Sequence, residues 1–193
     1  WALIFTAPPL AQTGALEVPR FEVDPSWPKQ PFPDAWIMGG GHGVDVDAQD
    51  HIWVAHLATD EGEGRLSPYE AGAASDPPRA ICCRPAPPII EFDQDGNIVR
   101  AWGGPGDGYQ WPTGIHGLTV DSQGNIWIGG TVQPDAQVLK FTPEGRFLLQ
   151  IGRSGESKGN SDTANLGQPS DLAVDTASQE VWVSDGYGNR RVI

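Results

Sequence analysis

The chain is poor in basic residues: 12 Lys and Arg stand against 25 Asp and Glu, giving a formal net charge of -13 over 193 residues. Binding of nucleic-acid phosphates needs clustered cations, so this chain is not expected to bind nucleic acid. The acidity is read as surface solubility, with an acidic ligand-binding face as the rival. Cysteine is nearly absent, and the two that occur are neighbours, Cys82 and Cys83. Within one chain they can pair only with each other, as a vicinal disulfide; pairing between chains is the rival. No apolar run is long enough to span a bilayer. No Ser/His/Asp triad, phosphate loop or dinucleotide fingerprint is present. The high counts of Gly (25) and Pro (18) exclude a helical protein, while Val and the 8 Trp favour strands joined by tight turns.

What is there is a repeat. The run His42-Gly-Val-Asp-Val-Asp-Ala-Gln-Asp-His-Ile-Trp-Val-Ala recurs as His116-Gly-Leu-Thr-Val-Asp-Ser-Gln-Gly-Asn-Ile-Trp-Ile-Gly, and again from Asp171-Leu-Ala-Val-Asp to Val181-Trp-Val. Each copy is an apolar stretch of period two, a polar turn and a second strand around Trp53, Trp127 or Trp182. Repetition of such a meander predicts an all-β protein, a β-propeller of four-stranded blades, of which this stretch supplies about half of a six-bladed ring. The tryptophans are read as packing between blades rather than as sugar platforms. Asp45, Asp47, Asp121 and Asp175 are read as turn caps, and His51 as an exposed turn residue.

In chain order, residues 1–35 are expected to form an apolar and then Pro-rich arm. Its start reads either as the end of a signal peptide or as an ordered segment of the mature chain, and the ordered arm is favoured. Pro19, Pro25, Pro28, Pro31 and Pro33 suit an extended path across the propeller body or a neighbouring chain. Residues 36–193 form the partial propeller. An insertion at 59–88 interrupts blade one, which resumes at Ile89 and turns at Asp95-Gly96. Blade two runs uninterrupted to Gly152, and blade three is expected to begin at Gln168 and to reach its third strand by Ile193.

Val181-Trp-Val-Ser-Asp-Gly-Tyr-Gly-Asn-Arg-Arg-Val-Ile and Gly124-Asn-Ile-Trp-Ile resemble NHL repeats. More narrowly, residues 21–193 resemble the propeller of peptidyl-α-hydroxyglycine α-amidating lyases and their bacterial relatives. That resemblance implies a zinc held by axial histidines, with His116 in the Ile-His-Gly-Leu motif as the first and His42 at the same repeat position. It also implies a calcium bound through the backbone carbonyls of Val44 and Leu118, and a catalytic tyrosine at Tyr187. Asp185 with Arg190 or Arg191 matches the repeat's turn pair. The alternative for His116 is a histidine hydrogen-bonded to a neighbouring carbonyl. His56 corresponds to the family's His-Arg pair, but Leu57 stands at the arginine, so the expected catalytic cation is missing.

The leading expectation is therefore an exported, extracytoplasmic scaffold without catalysis that works through a protein partner or self-association. A lyase-like metalloenzyme and a structural subunit of an extracellular polymer are the alternatives.

Overall fold

The computed structural model describes residues 18–57, 79, 81–178 and 180–193. The expected apolar start of the arm and most of the insertion lie outside these residues. Thirteen strands follow one another: β1 (Trp36–Ile37), β2 (Gly41–Val46), β3 (Ile52–His56), β4 (Arg84–Pro85), β5 (Ile89–Phe92), β6 (Ile98–Trp102), β7 (Ile115–Val120), β8 (Ile126–Gly130), β9 (Gln137–Phe141), β10 (Phe147–Gly152), β11 (Asp171–Asp175), β12 (Glu180–Asp185) and β13 (Arg191–Val192). They form antiparallel meanders β2-β3-β5-β6, β7-β8-β9-β10 and β11-β12-β13. These are the expected propeller blades.

The blades fan from a shared centre because their first strands lie side by side. Val120 donates its N–H to Asp45 Oδ2 at 2.8 Å, and the Thr119 hydroxyl donates to the Leu172 carbonyl at 2.8 Å. The approach is too close for side chains at the contact points. A Cβ on Gly43 would fall 2.7 Å from Leu118 N, and one on Gly117 would fall 2.5 Å from Ser170 O, so only glycine fits.

Two apolar layers hold the fan together. Trp53, Ile89, Ile115, Leu118 and Phe141 pack between blades one and two, and Trp127, Leu166, Leu172 and Val183 pack between blades two and three. Trp53 and Trp127 are 1% and 3% exposed, whereas Trp182, at the same repeat position with no following blade here, is 52% exposed. Trp53 and Trp127 are thus inter-blade packing. At about 25 cal/mol per Å², hiding an indole of roughly 200 Å² contributes about 5 kcal/mol before ordering costs.

The Pro-rich approach lies on blade one, where Trp27 and Phe32 stack on Phe92 with centroids 5.4 and 6.0 Å away. Lys29 N–H donates to the Gly96 carbonyl at 3.0 Å. One pairing was not foreseen: the last residues of the insertion form β4, parallel to β1, with Ala86 N–H on the Ile37 carbonyl at 2.8 Å. Two residues carry no periodicity by which sequence could announce a strand. Cys82 and Cys83, immediately before β4, are joined by the vicinal disulfide. No helix among the described residues is long and apolar enough to cross a membrane.

Candidate functional site

The entry to each innermost strand is strapped by one buried acceptor. In blade two Asp135 accepts the N–H groups of Thr113 and Gly114 at 2.8 and 3.0 Å, and burial pushes its carboxyl up against those bonds. In blade three Asp185 accepts Gly167 N–H at 2.6 Å and is held by Asn189 and by Arg191 Nε at 2.8 Å, so Arg191 is the residue of the turn pair. Blade one uses His56 instead. Its Nδ1 accepts Gly39 N–H at 3.1 Å and its Nε2 donates to the Pro87 carbonyl at 2.8 Å, with the ring fully buried. His56 is therefore a strap of the inner strand, and the adjoining Leu57 is itself buried, with its N–H on the Gly40 carbonyl at 3.1 Å.

These straps set three equivalent residues, His42, His116 and Ser170, at the same end of the adjoining inner strands. The His42 and His116 rings lie edge to face with centroids 6.0 Å apart, and Tyr187, from the turn between β12 and β13, brings its ring to 5.2 Å from His116. His116 Nδ1 lies 3.0 Å from the Ser170 carbonyl. A carbonyl only accepts, so Nδ1 carries the hydrogen and Nε2 of the neutral ring is the lone-pair nitrogen. The Tyr187 hydroxyl, 3.1 Å away, donates to it. His116 thus has the carbonyl partner of its alternative reading and the His42 ring beside it, and Tyr187 joins them. Val44 and Leu118 sit at equivalent positions on β2 and β7, at 67% and 4% exposure.

In kind, these donors fit the groups the resemblance implies. A histidine whose second nitrogen is committed to a carbonyl is oriented as ligating histidines are, and carbonyl oxygens suit calcium. In number they fall short for zinc: the third repeat offers Ser170, whose hydroxyl donates to the Ser184 carbonyl at 3.0 Å.

Asp47, Asp121 and Asp175 cap turns as expected and the first two also hold tryptophans, whereas Asp45 lies within β2 and bonds Val120 N–H of the next blade instead of capping a turn. Asp47 accepts Gln49 N–H, His51 N–H and the Trp53 indole; Asp121 accepts Gln123 N–H, Asn125 N–H and the Trp127 indole. Burial opposes ionisation of both, yet the donors win. Lys140, Trp127 and Asn125 hold Asp121 at about 2, and Trp53 and His51 hold Asp47 below the ordinary range.

In blade two the balancing cation is Lys140, 2.9 Å from Asp121. Blade one has Glu91 at the residue matching Lys140. His51 takes over, with Nδ1 2.6 Å from Glu91, whose other oxygen meets Arg100 at 2.5 Å. His51 is therefore part of a half-buried charge chain rather than a simple exposed turn residue, and its bond to Glu91 raises its pKa. Asp47, His51 and Glu91 also lie close enough together to hold a cation, though each donor already has a protein partner.

No family model matches the chain. Curated relatives match over part of the chain. Peptidyl-glycine alpha-amidating monooxygenase of Mus musculus is 39% identical over 80 residues, which are 40% of this chain and 8% of that protein. Peptidyl-alpha-hydroxyglycine alpha-amidating lyase 2 of Drosophila melanogaster is 34% identical over 99 residues, 51% of this chain and 22% of that protein. The chain is thus homologous to regions of the amidating enzymes and spans less than a quarter of their length. Among solved structures, a catalytically inactive virginiamycin B lyase from Staphylococcus aureus with quinupristin aligns at a TM-score of 0.43 and 16% identity, over 83% of this chain and 39% of that one.

Proposed function

We propose that this propeller is a lyase of the amidating kind, of the NHL-repeat type, acting on peptidyl-α-hydroxyglycine. The observation that carries the reading is the convergence on His116: Nδ1 committed to Ser170, Nε2 facing the Tyr187 hydroxyl, and the His42 ring alongside. In the reaction the hydroxyl proton is removed, its oxygen becomes the aldehyde of glyoxylate, and the C–N bond breaks. The electron pair leaves on nitrogen, which takes a proton to become the peptide amide. Atoms balance without an oxidant or added water.

On this reading the Tyr187 oxygen accepts the hydroxyl proton: its bond to His116 Nε2 and ligation of a metal by that same nitrogen exclude each other, so a bound metal would free the phenol oxygen to face the substrate. His42 and His116 would supply two of the ligands of a zinc, which when bound would supply Lewis-acid polarisation of the substrate oxygen. The carbonyls of Val44 and Leu118 would hold a structural calcium. The disulfide between Cys82 and Cys83 supports an extracytoplasmic setting, because such bonds persist in oxidising compartments.

Leu57 favours a second reading, a non-catalytic binding scaffold, since no cation stands at that position to meet the substrate carboxylate. The two separate cleanly. Purified protein supplied with zinc and N-benzoyl-α-hydroxyglycine releases glyoxylate on the lyase reading, and Tyr187→Phe lowers the rate at least about 100-fold. No release above the uncatalysed rate leaves the scaffold.

A further inference from the structure

At the histidine-bearing end of blades one and two lies a cavity of about 420 Å³ whose walls include Trp36, Leu57, Pro88, Trp111, Pro112 and Ile115. Its wall is one residue of backbone from the candidate site at Ile115. Ile115 precedes His116 in β7, Leu57 is hydrogen-bonded to Gly40, and His42 Nε2 lies 3.6 Å from where a Cβ on Gly40 would stand.

The walls are built and fixed. The proline segment is held by Ala86 N–H on the Ile37 carbonyl, by His56 N–H on the Pro88 carbonyl at 3.0 Å and by His56 Nε2 on the Pro87 carbonyl. The facing segment is held by Asp135 on Thr113 and Gly114. Trp111 can lie against the rim because Gly103 has no side chain: a Cβ there would fall 2.7 Å from the indole. Among the described residues no Asp, Glu, Lys or Arg lines the cavity, and both ring nitrogens of the one histidine in its wall are committed. A charged group entering it would lose its water with no partner in return, whereas an apolar one gains contact with two indoles and a leucine.

We infer that this cavity is a side-chain subsite: it takes the uncharged, apolar side chain of the residue preceding the reacting glycine of a peptide. The peptide's identity rests on the lyase reading, while the selection against charge rests on the walls alone. Leu57 is the residue that sets the selection, because it puts an apolar wall where a cation would give a charged group a partner.

The test reads tryptophan indole resonances in ¹⁵N-labelled protein titrated with N-acetyl-Phe-Gly, N-acetyl-Glu-Gly and N-acetyl-Lys-Gly. The Phe probe is expected to shift Trp36 and Trp111 saturably, with Glu and Lys probes at least about tenfold weaker. Leu57→Gln should weaken the Phe probe about tenfold while the Trp127 indole keeps its position, reporting an intact fold. Trp111→Leu is the second variant should the first fail to fold. Equal binding of the three probes, or shifts confined to other tryptophans, overturns the subsite. Glyoxylate release without preference for Phe over Glu substrates overturns the subsite and spares the lyase reading; probe discrimination without release does the reverse.

Discussion

Asp121 offers the sharpest test of how the blades are held. Its carboxylate, 7% exposed, receives the Trp127 indole at 3.0 Å, the Asn125 N–H at 2.9 Å and Lys140 at 2.9 Å. A carboxyl drawn from 3.8 down to about 2 contributes about 2 kcal/mol at neutral pH, at about 1.4 kcal/mol per tenfold change in proton affinity. Asp121→Asn removes that contribution. It can keep one oxygen for the turn, but it then sets an amide N–H₂ against the indole or the ammonium, and an orphaned buried donor costs about 1 to 3 kcal/mol. The expected loss is about 3 kcal/mol at pH 7, which at a slope near 2 kcal/mol/M lowers the urea midpoint by about 1.5 M.

The pH dependence fixes the cause. A depressed pKa gives stability that is complete above the ordinary value and disappears as pH falls through about 2, so the gap between wild type and variant should narrow to about 1 kcal/mol near pH 2. Urea denaturation followed by tryptophan fluorescence from pH 2 to 7 measures both quantities. A loss under about 0.5 kcal/mol at pH 7, or a gap that does not change with pH, would refute the account.

The blade-one counterpart titrates in the opposite sense. His51 has a raised pKa, so its clamp on Glu91 is complete below its unfolded value near 6.5 and fades as pH rises through the folded value. His51→Asn should abolish a stability slope on the order of 1 kcal/mol above neutrality in the same denaturation series. Trp53→Ala, emptying a site 1% exposed, should cost about 3 to 5 kcal/mol by thermal or urea unfolding. Tyr187→Phe, at a side chain 63% exposed, should leave stability within about 0.5 kcal/mol while removing turnover. His116→Ala should abolish zinc uptake measured by elemental analysis after dialysis. Thiol titration under denaturing conditions should find no reactive cysteine before reduction and both Cys82 and Cys83 after it.

The fold was legible because its decisive contacts repeat. A tryptophan six residues after a strand-end aspartate writes out both members of one hydrogen bond, Asp47 with Trp53 and Asp121 with Trp127, so a single line of text contains the turn, the second strand and its anchorage. The meeting of His42 and His116 was legible for the same reason, since equivalent positions of neighbouring repeats adjoin at the axis, whereas Tyr187 came only with the family resemblance. What sequence hid were partners that the repeat exchanges. His56 and Asp185 stand at one repeat position, three residues after the repeat tryptophan, whereas blade two has Gly130 there and takes Asp135 from a loop; one mechanical task passes between two places in the repeat and two residue types.

His56 shows the consequence most clearly, because a histidine beside a missing arginine reads as half of a damaged catalytic pair. Its two ring nitrogens instead bond Gly39 N–H and the Pro87 carbonyl, 17 and 31 residues away, and this ties the end of the insertion to the entry of β2. With that tie in place Leu57 forms part of the wall of an apolar cavity. The departure from the lyase pattern at position 57 then acquires a physical meaning: loss of a cation and gain of an apolar wall are one substitution, and it changes which side chains the site admits as well as what charge it can stabilise.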